Sequence, residues 1–266
     1  MTEVKIALVG AAGRMGKEII KAATANPAAA IGAAVEYNGC PVLGQDAGVL
    51  AGVGPLNVLL TADLAGAAKD CDVILDVSLP EATPSIIETA VQLHKPLVSG
   101  ITGATDAILK QIAEAAAHIP VLHSKNFSVG IAVLSALVKQ AAAILGTDYD
   151  IEIFEKHHNQ KVDAPSGTAQ ILADAMLDSI SDGNCVYGRE GNTGRRPKGE
   201  IGIHALRGGG IFGEHTVYFI GQNERLELGH VAHTRALFAE GAVKTAVFIA
   251  RAKVGQHTMS DVLGLN

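Results

Sequence analysis

Tryptophan is absent, and Phe, Tyr and Trp together make up 4% of the 266 residues. So sparse a set of rings excludes an aromatic-rich paratope and a row of ring platforms for stacked bases. Cysteine is also scarce: Cys40, Cys71 and Cys185 are odd in number and lack CxxC spacing. That excludes a disulfide framework and a thiolate zinc site, and it fits a reducing compartment. Positive charge is in deficit, with 21 Lys and Arg against 27 Asp and Glu for a formal charge of −6. Such a surface repels a phosphate backbone, so nucleic acid is not an expected partner and any anion must be met by a local basic patch. The most apolar stretch, Val129–Leu145, carries Lys139 and Gln140 and reads as too short and too polar to span a bilayer. No basic, then apolar, leader precedes the strand-like run Val4–Val9. The expectation is a soluble, cytoplasmic protein with no membrane partner.

What is present is apolar mass: 48% hydrophobic against 18% charged residues, enough for a sizeable core, in a length that suggests two domains. In the first half, apolar runs at Val4–Val9, 31–36, 73–77, 96–99 and Pro120–His123 alternate with segments of helical period at 15–25, 84–93 and 107–117. IALVG and VILDVS are continuous rather than alternating, which predicts strands buried on both faces. The fold class is therefore α/β, with a Rossmann-like doubly wound parallel sheet. Residues 38–60 read as an irregular surface connection. After His123 come a helix at Val129–Leu145, an alternating strand at 149–155, a polar loop and a helix at 166–177. A Gly-, Asn- and Arg-rich stretch, 182–201, precedes strand-like runs at 201–206, 216–220 and Arg225–Val231, and residues 235–253 are helical by pattern. This half predicts a smaller α+β domain with a mixed sheet.

Two segments carry chemistry. VKIALVGAAGRMG places Gly10, Gly13 and Gly16 between a strand and a helix that starts near Arg14 or Met15. Glycines permit a tight turn and close backbone approach, so helix N-terminal amides can meet a pyrophosphate. Glu36 ends the second strand 20 residues after Gly16, where a carboxylate accepts from a ribose 2′-hydroxyl. The plainer alternative is a solvated strand-end acid beside glycines that only pack helix on sheet. Tyr37 and Asn38 follow Glu36 and offer no cation to a 2′-phosphate, which favours NADH at least as much as NADPH, although Arg14 lies within reach of a phosphate.

The second segment, Glu155 to Ala169, reads EKHHNQKVDAPSGTA. Ser166 is placed to N-cap a helix whose first residues, Gly167 and Thr168, present amides and a hydroxyl at its positive end. Lys161 adds a full charge, and a histidine can give a proton to a carbon made electron-rich by hydride addition. Adjacent residues on a strand point to opposite faces, so at most one of His157 and His158 enters a given pocket. An HH pair is also a common surface feature. No HExxH or GxSxG motif is present, so neither a metal site nor a serine hydrolase is expected.

Taken with GITG at 100–103, SKNFSVG at 124–130 and RGGGIFGEH at 207–215, these segments resemble the dihydrodipicolinate (4-hydroxy-tetrahydrodipicolinate) reductase family over essentially the whole chain. The resemblance implies a dinucleotide-binding domain, 1–128, rejoined by 239–266, and a substrate-binding domain, 129–238, that builds a homotetramer. It implies catalytic roles for His157 and Lys161, and substrate-carboxylate contacts from His158, Lys161, Ser166, Gly167 and Thr168. Cofactor contacts are implied at Gly10, Ala11, Ala12, Gly13, Arg14, Met15, Glu36, Gly100, Ile101, Thr102, Ser124, Asn126 and Phe127, with a small cyclic dicarboxylate as substrate. Ile101 stands where the family usually has Thr, and Tyr37 where NADPH-using members carry Arg. Two rival classes are a semialdehyde dehydrogenase working through a cysteine thiohemiacetal and a nucleotide-sensing protein without turnover; no cysteine lies in the charged loop.

Overall fold

The computed structural model describes residues 3–180 and 182–265. In chain order the first elements are β1 (Val4–Val9), α1 (Arg14–Thr24), β2 (Ala29–Val35), α2 (Ala47–Ala51), β3 (Leu60–Thr61) and α3 (Leu64–Ala67). There follow β4 (Val73–Asp76), α4 (Thr83–Gln92), β5 (Leu97–Ser99), α5 (Asp106–Ala115) and β6 (Pro120–His123). Next come α6 (Val129–Leu145), β7 (Asp150–His157), α7 (Gly167–Leu177), β8 (Asn184–Tyr187), β9 (Glu200–Arg207), β10 (Glu214–Ile220) and β11 (Arg225–Val231). The chain closes with α8 (Ala236–Ile249), β12 (Gly255–His257) and α9 (Met259–Leu263). It divides into two compact units, one formed by the described residues up to Phe127 with Ala236–Gly264, the other by Ser128–Arg235.

The first unit is a parallel sheet in the order β12-β6-β5-β4-β1-β2-β3. Its apolar runs are continuous because both faces are covered. Ile6 and Leu8 of β1 point into a core shared with Ile19 and Ile20 of α1 and Val243 and Ile249 of α8. Ala7 and Val9 point the other way, toward Ile86 and Ile87 of α4 and Ile108 and Ile112 of α5. Each fully buried Leu or Ile contributes roughly 1.5–3 kcal/mol of transfer free energy. Strand order reverses at β1, with β2 on one side and β4 on the other; the crevice at the carboxyl ends of these strands is where such sheets bind ligands.

The second unit is a mixed sheet, β11-β10-β7-β9-β8, antiparallel from β11 to β7 and parallel from β7 to β8. One face carries Ile151, Ile153, Ile201, Ile203, Val217 and Phe219 against Ile131, Leu134 and Val138 of α6 and Leu172 and Met176 of α7. A 3₁₀ turn, Gly146–Asp148, extends α6 to a 20-residue stretch that is long and apolar enough by composition to cross a membrane. That is longer than the sequence reading allowed, and its buried stripe is spent on this core.

Several elements differ from expectation. The stretch read as irregular contains α2, organised by one side chain: Asp46 accepts from the amides of Val49, Leu56 and Val58 at 3.0–3.2 Å. β8 lies inside the Gly- and Arg-rich stretch because β9 supplies a parallel partner, not because of its own pattern. The last helical segment stops at Ile249, and β12 and α9 follow, α9 being held by a Thr258–Asp261 capping box. β7 continues to His157 rather than ending at Glu155, so His157 is a strand residue instead of a loop residue.

Candidate functional site

In the first unit the glycine-rich turn closes tightly. Gly10 has φ +83°, a conformation that favours glycine, and a Cβ on Gly16 would stand 2.2 Å from the Gly10 carbonyl oxygen. Gly13 is the N-cap of α1, and no side chain caps that helix, which leaves its first-turn N–H groups to a guest. Glu36 is no mere solvated acid: Ala12 N–H donates to its Oε1 at 2.8 Å, tying the end of β2 to the turn. A cavity of about 480 Å³ is lined by Gly10, Gly13, Glu36, Tyr37, Ser78 and Leu79, among others. Tyr37 is 66% exposed, and among the described residues no Lys or Arg lines this cavity. These features fit a dinucleotide, with the uncapped first-turn amides of α1 for its phosphates and Glu36 for a ribose hydroxyl, while the Gly10 and Gly13 N–H groups hold the turn closed by donating to the Val35 and Gly10 carbonyls.

Of the other residues assigned to the cofactor, Ala11, Ala12, Arg14 and Met15 belong to the glycine turn and the start of α1, and the rest follow the carboxyl ends of β5 and β6; none is part of that lining. Ile101 is 1% exposed and packs with Ile108 and Ile112, so a Thr-to-Ile difference leaves only backbone to face a ligand. Thr102 is exposed. Phe127 is buried, its ring held where a Cβ on Gly100 would come within 2.6 Å of Cε2. Ser124 and Asn126 form a small turn in which Ser124 Oγ donates to the Asn126 carbonyl at 2.7 Å. Asp76, which the sequence reading did not single out, ends β4 fully buried. It accepts from Ser78 N–H and Ser78 and Thr83 hydroxyls, and its pKa is raised by burial against those bonds.

In the second unit the chemistry centres on a buried carboxylate that sequence reasoning also missed. Alternation along β7 puts Glu155 and His157 on the core face with Ile151 and Ile153. Glu155 is fully buried and His157 is 8% exposed. Glu155 Oε2 lies 2.6 Å from His157 Nδ1 and takes an Arg207 N–H at 2.7 Å. Its Oε1 takes the second Arg207 N–H at 2.7 Å and the backbone N–H of Ser166 at 2.9 Å. Burial alone would raise this carboxyl, but the bonds from His157, Arg207 and Ser166 outweigh it and hold the pKa at about 2. Ser166 is the N-cap of α7, its Oγ accepting from Ala169 N–H at 3.2 Å. The same Oγ lies 3.0 Å from His215 Nε2. His215 sits edge-on to His157, ring centroids 5.2 Å apart, with its pKa depressed to about 3 by desolvation and then by His157.

The motif around Arg207 and His215 forms the loop that closes this corner. Gly208 N–H donates to the His157 carbonyl at 2.9 Å, and His158 N–H to that of Ile211 at 2.8 Å. A Cβ on Gly213 would stand 3.1 Å from His157 Nε2. His158 lies just beyond β7, its Nε2 3.5 Å from Arg235 Nη2. Lys161 Nζ is held by both Asp163 oxygens, at 2.8 and 2.9 Å. Gly167 is exposed, with open space where a side chain would stand, and Thr168 is half-buried. Glu155 was detectable as the i−2 neighbour of His157 on an alternating strand. Arg207, directly opposite His157 across β7 and β9, has no local signal. Among the described residues no three His, Cys, Asp or Glu gather as a metal site.

The family described as "Dihydrodipicolinate reductase, N-terminus" matches residues 4–127, and "Dihydrodipicolinate reductase, C-terminus" matches 130–263. A 4-hydroxy-tetrahydrodipicolinate reductase of Methylocella silvestris is 44% identical over 268 residues, covering 100% of this chain and 98% of its own. One from an Anaeromyxobacter species is 46% identical over 265 residues, covering 98% of each. Among solved structures, a dipicolinate-bound dihydrodipicolinate reductase from Paenisporosarcina sp. TG-14 has a TM-score of 0.77 at 24% identity, covering 97% of this chain and 98% of its own. GenD2 from gentamicin A biosynthesis, in complex with NAD, has a TM-score of 0.63 at 16% identity, covering 100% and 91%. With both of its parts matched and full-length relatives above 40% identity, this chain belongs to the dihydrodipicolinate reductase family.

Proposed function

We propose that the protein reduces 4-hydroxy-tetrahydrodipicolinate to tetrahydrodipicolinate, consuming a reduced nicotinamide dinucleotide and a proton and releasing water. The observation that carries the site assignment is the single carboxylate of Glu155, which joins an imidazole at the end of β7 to the first turn of α7. An acid and an anion-binding helix start are thereby built into one corner. Loss of the C4 hydroxyl together with a proton from the ring carbon between C4 and the imine, as water, leaves a carbon–carbon double bond conjugated to that imine, and the dinucleotide, when bound, would supply hydride to C4 of the unsaturated ring. The glycine turn at residues 10–15 and Glu36 would hold that dinucleotide, with residues 100–102 and 124–127 as further contacts. His157 gives its Nε2 proton to the carbon adjacent to C4 as electron density arrives there. Lys161 exchanges Asp163 for a substrate carboxylate, a trade of one charged partner for another. His158, Ser166, Gly167 and Thr168 complete the carboxylate contacts and fix the ring for protonation.

NADH is used at least as well as NADPH, because Tyr37 and Asn38 bring no cation to a 2′-phosphate. The enzyme works in the cytoplasm as a homotetramer. Support for assembly comes from the sheet face opposite the second unit's core, where Phe154 is 44% and Leu206 50% exposed and Phe154 stacks on His204 with centroids 4.7 Å apart. The test is a spectrophotometric assay with substrate generated from pyruvate and aspartate semialdehyde. Loss of NADH absorbance only when that substrate is present is the expected result. Tight NADH binding without oxidation would reject the reading in favour of a nucleotide-sensing role. A thiohemiacetal chemistry is disfavoured by the thiols themselves: Cys71 is buried with its pKa pushed up to about 11 by desolvation.

A further inference from the structure

We infer that Glu155 is a positioning residue that fixes which nitrogen of His157 carries the transferable proton. The inference rests on the proposed role of His157 and goes beyond it. Glu155 is enclosed, and every one of its acceptor directions is used: Oε2 by His157 Nδ1 and Arg207 Nη1, Oε1 by Ser166 N–H and Arg207 Nη2. With a guanidinium paired to both oxygens the carboxyl is ionised, and an ionised carboxylate only accepts. The 2.6 Å contact therefore requires the hydrogen to sit on His157 Nδ1.

Neutral His157 is then the Nδ1–H tautomer, and Nε2 is the nitrogen that gains and loses a proton. Nε2 is kept open by Gly213, since a Cβ there would stand only 3.1 Å away. Among the described residues no side chain bonds to it. The charged and titratable groups that face this imidazole are Glu155 on its own strand, Arg207 from β9 and His215 from β10. Arg207 matters only through the carboxylate, and His215 is engaged by Ser166. Glu155 thus acts as an orienting carboxylate behind a proton-transferring histidine.

The first test uses the unmutated protein: long-range ¹H–¹⁵N spectra of the histidines, with His157 assigned by its loss in His157→Gln. At a pH where His157 is neutral, the Nδ1–H tautomer is expected, and the Nε2–H tautomer would overturn the inference. The second test is Glu155→Gln, whose amide can donate to Nδ1 and oppose protonation there. Because a general acid is worth about 10²–10⁴-fold, kcat should fall by about 10²-fold or more with little change in KM. His157 in that variant should also shift toward the Nε2–H form, and Glu155→Asp should recover part of the loss. Unchanged kcat in folded Glu155→Gln would overturn the inference. Should that variant fail to fold because Arg207 loses its counter-charge, the spectra of the unmutated protein decide alone. They also separate the two claims: a protein that never oxidises NADH with the cyclic substrate fails the functional reading, while the tautomer still tests Glu155.

Discussion

His215 offers a quantitative check on the buried corner of the second unit. It is 3% exposed, and its pKa is depressed from 6.5 to about 3, first by desolvation and then by the neighbouring His157. A base with a depressed folded-state value contributes stability that is fully present above its unfolded value and is lost as pH falls toward the folded one. At pH 5 the unfolded histidine is protonated and the folded one is not, which removes about 2 kcal/mol relative to pH 7. Glu155, held at about 2, is ionised in both states across this interval, so its own loss comes only below about pH 4.5. The perturbation is His215→Gln, which keeps a polar atom for Ser166 Oγ and cannot titrate. Calorimetric melts of the two proteins at pH 7 and pH 5, at equal protein concentration, isolate the term, because other histidines cancel in the difference. Cooling of the transition between the two pH values should be greater in the unmutated protein by roughly 4–8 °C. Equal shifts in both proteins, or a His215 ring signal titrating between pH 6 and 7, would show that His215 is not held neutral by burial.

Lys161→Ala should raise KM and lower kcat together, because it removes a cation from the substrate and leaves Asp163 unpaired in the same loop; steady-state kinetics giving an unaltered KM would remove Lys161 from the carboxylate site. Tyr37→Arg should move the ratio of kcat/KM for NADPH over NADH upward by about tenfold, the effect of about 1.4 kcal/mol from one added phosphate contact. A strong preference for NADPH before any substitution would show that Tyr37 does not set the choice.

Much of this was legible locally. IALVG and VILDVS announced strands covered on both faces, and both cores use alternate residues of β1. Gly10, Gly13 and Gly16 marked a turn whose closeness is visible in the 2.2 Å that a Cβ on Gly16 would leave. Ser166 was readable as an N-cap. What pattern could not supply came from across the sheets. Arg207 and His215 reach the His157 corner through the register of β9 and β10 on β7, a relation that no spacing along the chain encodes. α2 exists because Asp46 gathers three amides, and β8 because β9 offers it an edge. Reading β7 as ending at Glu155 hid the pairing of Glu155 with His157, since two residues on one face of a strand can meet whereas a loop residue has no fixed direction.

In the proposed reaction the His157 imidazole delivers the proton while the neighbouring carbon receives hydride. That role is decided by the kcat and KM of purified, folded His157→Gln with the cyclic substrate and saturating NADH. With the proton donor removed, kcat should be lower by about 10²–10⁴-fold with a much smaller change in KM; a kcat equal to that of the unmutated protein would rule His157 out as the donor.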